Sequence, residues 1–205
     1  KNHFRFEGLM EMAALHPRYF EASPHVLEKL GLSEDDKFAI VRFVGETAWH
    51  DLGKKKMKPA EKVQLVRKLQ SFGKVFISTE SSLPEELRPL KLDIEPHEMH
   101  HLLSYASLVA GNGATLAAEA AVLGTPAVYI SDLRPGYLDY LEKQYGLVMN
   151  FGVGEKDFQM AVKTAGTLIG RPGGKGNALR QAEKLQADHL DVTRFMMETV
   201  EGLHE

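Results

Sequence analysis

The sequence predicts an α/β fold in which a parallel sheet of about six strands is covered by helices on both faces. The order of strand-like and helix-like segments supports this prediction. From Lys37 onward, short apolar runs rich in β-branched residues alternate with longer segments of helical periodicity. Short buried strands that alternate with helices are typical of a parallel sheet enclosed between two helical layers.

Six apolar runs predict the strands, at 37–44, 74–80, 91–94, 107–111, 126–131 and 147–151. Helices are predicted at 59–73, 96–106, 113–123, 137–146 and 155–170, with a short helix or turn at 83–90. The first of these helices has ordinary start and stop signals, because Pro59 suits a first turn and Gly73 a C-terminal end.

The pattern divides the chain into three stretches. Residues 1–34 do not follow the alternation and are predicted to be a connecting or docking segment. Residues 35–170 carry the alternation and form the predicted Rossmann-like domain. A glycine-rich stretch at 171–177 then separates it from polar helices, so residues 171–205 are predicted to be C-terminal helices that pack back.

Composition excludes several classes of function. The net charge of -3 gives no whole-chain attraction to nucleic acid or to an anionic membrane. Cysteine is absent, which excludes disulfides and thiol nucleophiles and fits a reducing, cytoplasmic location. No apolar run approaches the ~18 residues of a membrane span, and the first residues lack the apolar region of a signal peptide. Residue 1 is not methionine, so we expect a missing upstream part.

Ligands of open parallel sheets bind beyond the carboxyl ends of the strands. Four predicted strand ends carry glycine or polar residues: Gly45, Glu46 and Thr47; Ser78, Thr79 and Glu80; Gly111, Asn112 and Gly113; and Ser131 with Asp132. Any one group is equally consistent with an ordinary polar strand end. Together they predict a binding site at this edge of the sheet.

The stretch after the fourth predicted strand is more specific. Gly111 and Gly113 allow positive φ and the close approach of a ligand, and the N–H groups of residues 114–116 begin the next helix. Such a helix N-terminus suits a phosphate or diphosphate. Glu119 follows about one and a half turns later in an otherwise apolar helix, where it can accept hydrogen bonds from both hydroxyls of a ribose. The alternative is that Asn112 only caps the helix and Glu119 is a solvated acid.

The segment NGATLAAEAAVLGTPAV resembles the nucleotide-binding segment in the C-terminal half of GT-B glycosyltransferases. It is also similar to that of the peptidoglycan N-acetylglucosaminyl transferase and of UDP-N-acetylglucosamine 2-epimerases. The resemblance implies that the diphosphate loop comprises Asn112, Gly113, Ala114 and Thr115. It also implies that Glu119 binds the ribose and that Gly124-Thr125-Pro126 turns into the next strand.

Further motifs resemble an archaeal and bacterial family of GT-B-like proteins of unassigned function. These motifs are ALHPRYF, VRFVGETAWHDLG, FISTE and the run from Ile94 to Val128, and they cover most of residues 13–150. Such proteins also have an N-terminal Rossmann-like half, which this chain lacks. The resemblance therefore implies a missing partner half, with residues 1–34 as the interdomain connection.

The segment that follows the first strand holds the candidate catalytic groups. His50 lies beside Asp51, and with Glu46 these residues are candidates for acid–base chemistry. Adjacent residues rarely face the same way, so a direct His50–Asp51 dyad is not expected. Lys54–Lys56 form either a solvated basic loop or, with Arg42, a source of positive charge near a diphosphate.

The segment HEMHH has two interpretations. His97, Glu98 and His101 fit the H-E-x-x-H zinc pattern, but no third ligand is evident and we predict no metal. The resemblance implies instead that His97 lies near the nucleotide base, although a solvated histidine fits equally well. The tyrosines Tyr129, Tyr137, Tyr140 and Tyr145 are predicted to be packing or surface residues.

The sequence therefore predicts the nucleotide-sugar-binding domain of a GT-B-type glycosyltransferase. The substrate is expected to be UDP-linked, and transfer in the full-length protein needs no cofactor or metal. Two alternatives stay open: a UDP-sugar 2-epimerase, with Glu46, His50, Asp51 and Glu80 around the sugar, or a non-catalytic binding module. The sequence leaves the oligomeric state open and predicts no nucleic-acid partner.

Overall fold

A computed structural model of the protein describes residues 3–45 and 56–202, and within them it has one parallel sheet of five strands. The strands are β1 (Phe38–Phe43), β2 (Lys74–Thr79), β3 (Leu108–Gly111), β4 (Ala127–Ile130) and β5 (Val148–Phe151). Their order across the sheet is β2-β1-β3-β4-β5, and every neighbouring pair is parallel. The order reverses between β1 and β3, which is where open α/β sheets bind ligands.

The predicted strand at 91–94 is wrong, so the sheet has five strands rather than about six. Only an isolated parallel bridge joins Lys91 to Ile77 of β2, supported by the Leu92 N–H, which donates to the Ile77 carbonyl oxygen at 2.8 Å. Residues 91–94 follow a 3-10 helix at Glu85–Leu90 and lie along the outer edge of β2. With Lys91 and Asp93 exposed, it lacks the two-sided burial that extends the other strands.

The helices occupy the predicted places with small changes at their ends. They are α1 (Glu11–Leu15), α2 (His25–Lys29), α3 (Pro59–Gln70), α4 (Met99–Tyr105), α5 (Ala114–Val122), α6 (Gly136–Tyr140), α7 (Glu155–Gly170), α8 (Gly174–Ala187) and α9 (Val192–Glu201). A 3-10 turn at Pro96–Glu98 leads into α4, and a π-helical turn at Leu141–Tyr145 follows α6.

Each face of the sheet carries its own apolar layer, because successive residues of a strand point to opposite faces. On β1, Phe38 and Ile40 pack into the layer that holds α1, α2, α4, α5, α6 and α8. Val41 and Phe43 pack into the opposite layer, which holds α3 and α7. The helices therefore flank the sheet on both sides, as the sequence predicts.

The first thirty residues pack along the α5 side of the sheet. Helix α1 contacts α5 and α9, with Met12 and Leu15 buried in that layer. The Phe6 and Phe195 rings lie 5.7 Å apart, and the Thr193 hydroxyl donates to the Ala13 carbonyl oxygen at 2.6 Å. This packing brings the N-terminal segment next to the helix that carries Glu119. Within the two described ranges, no helix is both long and apolar enough to cross a membrane.

The turn between α5 and β4 receives the ammonium end of a half-buried lysine. Lys175, in the first turn of α8, donates to the hydroxyl of Thr125, and that hydroxyl donates to the Leu103 carbonyl oxygen at 2.6 Å. Thr125 is completely buried. Burial lowers the pKa of Lys175 to about 7, because an ammonium group loses its hydration there without gaining a carboxylate partner.

We expect Lys175→Met to stabilise the protein at pH 7 by on the order of 1–3 kcal/mol, because it removes the cost of burying this group. An unfolded lysine titrates near about pH 10.4, so between pH 7 and about pH 10 the unfolded chain binds one more proton than the folded chain. The free energy of unfolding of the wild type should therefore rise through that window, by up to about 1.4 kcal/mol per pH unit.

Urea unfolding of both proteins at pH 7 and pH 9 measures this effect. The advantage of the Lys175→Met variant is expected to shrink as the pH rises, because the wild type alone gains stability from Lys175. An equal pH dependence in the two proteins would show that the ammonium group is not buried as described.

Candidate functional site

A cavity of about 950 Å³ opens at the carboxyl ends of β1, β2 and β3. It lies where the strand order reverses, between the residues that follow β1 and those that follow β3. Eight predicted binding residues line it: Gly45, Ser78, Thr79, Glu80, Asn112, Gly113, Ala114 and Thr115. Glu119 lines it as well, so residues from three of the four predicted strand ends converge on one space, whereas Ser131 and Asp132 do not line it.

One wall of the cavity is the first turn of α5. The first hydrogen bond of this helix runs from the Ala117 N–H to the Gly113 carbonyl oxygen, at 3.1 Å. The N–H groups of Ala114, Thr115 and Leu116 have no hydrogen-bond partner within residues 3–45 and 56–202, and all three residues line the cavity. The wall therefore presents three unused backbone donors at the positive end of a helix dipole.

The side chain of Asn112 does not cap this helix. Its Oδ1 atom accepts a hydrogen bond from the Val44 N–H at 2.9 Å, and no side chain in the described part of the chain caps α5. Asn112 is buried and so ties the end of β3 to the end of β1. The alternative role for Asn112, as a helix cap, is therefore wrong, because its acceptor is already used across the sheet.

Gly111 and Gly113 are required in this loop for different reasons. Gly111 has φ +129°, and a Cβ atom there would lie 2.0 Å from the Arg42 carbonyl oxygen. Gly113 has φ -91°, so it does not use the positive φ that glycine allows. Its constraint is steric, because a Cβ atom on Gly113 would lie 2.5 Å from Cγ of Arg42. Glycine at these two positions therefore allows the loop to pack directly against Arg42.

Arg42 provides positive charge beside the helix N-terminus. Its guanidinium donates to the Ser78 hydroxyl at 2.8 Å and pairs with the carboxylate of Glu80. The Arg42 side chain is about one fifth exposed and lines the cavity. Register explains the arrangement, because Arg42 of β1 lies opposite Ser78 of β2. The sequence identifies these residues but not their pairing.

The polar residues of β2 therefore act through other protein groups. The Thr79 hydroxyl donates to the Phe43 carbonyl oxygen at 2.8 Å and fixes the end of β1. Ser78 and Glu80 orient Arg42, as described above. In this structure, all three residues border the cavity while their polar atoms bond within the protein.

Glu119 lies on the cavity side of a helix whose other residues are mostly buried alanines. Its side chain is only 20% exposed, and its Oε1 atom lies 3.2 Å from Nε2 of His100. A solvated surface acid would be far more exposed and would lack such a neighbour. The carboxylate therefore belongs to the cavity wall, about one and a half turns from the free N–H groups.

His100 is a cavity residue that sequence reasoning missed. His97, the histidine predicted to lie near the base, is exposed in the 3-10 turn and is not among the lining residues. His101 faces the N-terminal segment, where its Nδ1 atom accepts a hydrogen bond from the Ser23 N–H at 3.0 Å. The helical periodicity of α4 could have identified His100. Leu102 and Leu103 form the buried face of that helix, and position 100 borders this face.

Tyr129 and Tyr137 also line the cavity, where the sequence predicted only packing or surface residues. Tyr137 follows β4 and is the second residue of α6. Burial raises the pKa of Tyr137, and the nearby carboxyl of Glu11 raises it further. Burial likewise raises the pKa of Glu11, with a smaller contribution from Glu119.

The predicted catalytic residues Glu46, His50 and Asp51 lie outside the described residues, as do Thr47, Lys54 and Lys55. Their roles stay predictions. Lys56 is described and exposed, and it is not among the residues that line the cavity. Of the two predicted cations that the structure describes, Arg42 lines the cavity and Lys56 does not.

Solved structures share this fold at low sequence identity. A putative UDP-N-acetylglucosamine 2-epimerase from Listeria monocytogenes is 16% identical with a TM-score of 0.54, and the match covers 83% of this chain and 46% of that one. Os79 from O. sativa, in complex with UDP and deoxynivalenol-3-glucoside, is 15% identical with a TM-score of 0.56, over 87% of this chain and 42% of that one.

The spinosyn forosaminyltransferase SpnP is 15% identical with a TM-score of 0.57, and the match covers 90% of this chain and 47% of that one. The fold is thus the one found in GT-B glycosyltransferases and in a 2-epimerase, and the chain spans less than half the length of each. Comparison with curated proteins gives no match. The family model described as "Protein of unknown function (DUF354)" matches residues 1–200, and the chain belongs to that family.

Proposed function

We propose that this chain is the nucleotide-sugar-binding part of a GT-B-type glycosyltransferase. The observation that carries the proposal is the first turn of α5, where the N–H groups of Ala114, Thr115 and Leu116 face the cavity without partners among the described residues. Three convergent backbone donors at a helix N-terminus form a site for a phosphate or diphosphate. The solved structure of Os79 with UDP supports this choice of ligand class.

Arg42 adds the charge that such a leaving group requires. Its side chain passes beside Gly113, within contact distance of the loop that precedes the free N–H groups. Glycosyl transfer places negative charge on the departing diphosphate, and fixed donors aimed at that charge stabilise the transition state. The N–H groups, the helix dipole and the guanidinium act together, so this part of the chemistry uses protein groups alone.

Glu119 is the proposed ligand of the ribose. It lies five residues beyond Ala114, or about 7.5 Å along the helix axis, a separation that suits the pentose next to a diphosphate. An ionised carboxylate only accepts hydrogen bonds and can take the protons of both ribose hydroxyls. Its 20% exposure leaves one side open to a ligand and shields the other from water.

The nucleobase is proposed to lie against the apolar side of the cavity. Ile94, Pro96 and Met99 line that side, close to the start of α4, together with Leu92 and the backbone near Glu95. Flat apolar surface and a few backbone polar groups are typical of sites that bind a base. UDP is the proposed nucleotide, in keeping with the resemblance of the loop and helix to UDP-dependent families.

A 2-epimerase is the second candidate, since a structure of that class shares the fold and Glu80 borders the cavity with its carboxylate. The two candidates differ in their need for an acceptor. Full-length protein given UDP-N-acetylhexosamine alone should leave the sugar unchanged if it is a transferase. Formation of the 2-epimer without an acceptor would favour the epimerase.

Thermal shift of this chain against UDP, GDP, CDP and their sugars tests the proposed function. A nucleoside diphosphate at 100 times its Kd should add about 2.7 kcal/mol of stability, whereas uridine, which has no phosphate, should add far less. UDP is expected to give the largest shift. If no nucleoside diphosphate stabilises the chain more than its nucleoside does, the cavity is not a diphosphate site and the proposal fails.

A further inference from the structure

His100 lies between Glu119, in the cavity wall, and the N-terminal segment. On one side its Nε2 atom lies 3.2 Å from Oε1 of Glu119. On the other side its ring meets the Phe20 ring edge-on, with the ring centres 6.2 Å apart at 88°. The side chain is 32% exposed, so the pair sits at the cavity wall rather than in bulk solvent.

The N-terminal segment holds the start of α4 at several points. Phe20 stacks on His101 with the ring centres 5.0 Å apart, and the Ser23 N–H donates to that same histidine. Lys29 pairs with Glu98, and this pairing holds the pKa of the Glu98 carboxyl below its usual range. These contacts restrict the position and the ring orientation of His100, because they hold α4 two residues before it and one residue after it.

Glu119 needs such a restraint. Its neighbours one turn away on α5 are Thr115, Leu116 and Val122, none of which carries a positive charge that could hold the carboxylate. A histidine protonated at Nε2, whether neutral or cationic, offers a donor to the nearer carboxylate oxygen. The carboxylate is then held at one oxygen, which leaves the other oxygen to face the cavity.

We propose that His100 is a positioning residue, which aims the Glu119 carboxylate at the pentose of the bound nucleotide and is itself held by Phe20. This inference rests on the proposed function, because it assigns Glu119 a sugar ligand. It adds that Phe20 supports the binding site through its contact with His100, although it lies far from the α5 loop in the sequence. The pairing is specific to His100, since His97 is exposed and His101 is engaged with Ser23.

Two variants and two nucleotides test the proposal. Wild-type protein is expected to bind UDP about tenfold more tightly than 2′-deoxy-UDP, because a held carboxylate takes both hydroxyls. His100→Leu should weaken UDP binding about tenfold and remove most of that preference. His100→Gln, whose amide can still donate to the carboxylate, should keep most of it. An equal loss for both nucleotides would indicate a merely structural role and overturn the proposal.

A measurement without nucleotide separates this inference from the proposed function. The ring ¹⁵N signals of His100, read in long-range ¹H–¹⁵N spectra, should change in Glu119→Gln. They should not change in Glu183→Gln, an exposed acid on α8. Unchanged signals in Glu119→Gln would overturn the inference even if UDP binds. If the wild type binds neither nucleotide, the proposed function fails, and the ring signals alone decide whether His100 holds Glu119.

Discussion

Replacing Glu119 with glutamine is expected to lower the affinity for UDP by a factor of about 10 to 100. A hydrogen bond to a charged group contributes about 1.5–3 kcal/mol, and about 1.4 kcal/mol corresponds to a tenfold change in affinity. The amide of glutamine has lost the charge and has a single acceptor oxygen, which cannot serve both His100 and the ribose hydroxyls as the two carboxylate oxygens can. The fold should survive, because the side chain borders a cavity and the substitution preserves its shape.

Calorimetric titration with UDP and with pyrophosphate measures this effect. The affinity for pyrophosphate should hardly change, since the free N–H groups of α5 and Arg42 are untouched. Glu183→Gln is a matched control, with the same change of charge at an exposed site, and should bind UDP like the wild type. Equal UDP affinity in Glu119→Gln and wild type would contradict the assignment of this acid to the pentose.

Replacing Gly111 with alanine is expected to prevent stable folding or to lower the free energy of unfolding by more than about 4 kcal/mol. The new Cβ atom would lie 2.0 Å from the Arg42 carbonyl oxygen, which is backbone of the adjacent strand. The residue also has φ +129°, a conformation that residues with a side chain rarely adopt. Relief would require β1 and β3 to separate at the centre of the sheet.

Circular dichroism and urea unfolding check this prediction. Gly136→Ala is the control, because a Cβ atom there meets nothing within 4 Å and the residue begins α6. That variant should unfold close to the wild type, since alanine is the better helix former. A Gly111→Ala protein with the wild-type urea midpoint would show that the loop does not have the described conformation.

The parts of the fold that follow from local chemistry could be predicted from the sequence. Residues 155–170 form a helix with the predicted ends, because the spacing of their apolar residues is helical and glycines lie at both ends. The loop and helix at 111–122 are likewise determined by the residues of that segment itself. The segment at 91–94 was predicted wrongly, since its strand character depends on a neighbour, and the edge of β2 offers only one bridge.

The candidate site shows the same division. Its location could be predicted, because ligands of open parallel sheets bind beyond the carboxyl ends of the strands. The roles of Ser78 and Thr79 could not, because they depend on the register that sets Arg42 opposite Ser78 and Phe43 opposite Thr79. His100 was missed because helix phase and the docking of Phe20 decide which histidine reaches Glu119. Such pairings between distant segments leave no pattern in a single sequence.

The most direct test of the diphosphate site is a ¹H–¹⁵N NMR titration of this chain with UDP. The account predicts that the backbone N–H signals of Ala114, Thr115 and Leu116 shift downfield and show the largest changes in the spectrum. Pyrophosphate should reproduce those shifts, and uridine should not. If UDP binds while these three signals stay in place, the anion lies elsewhere and the central claim is contradicted.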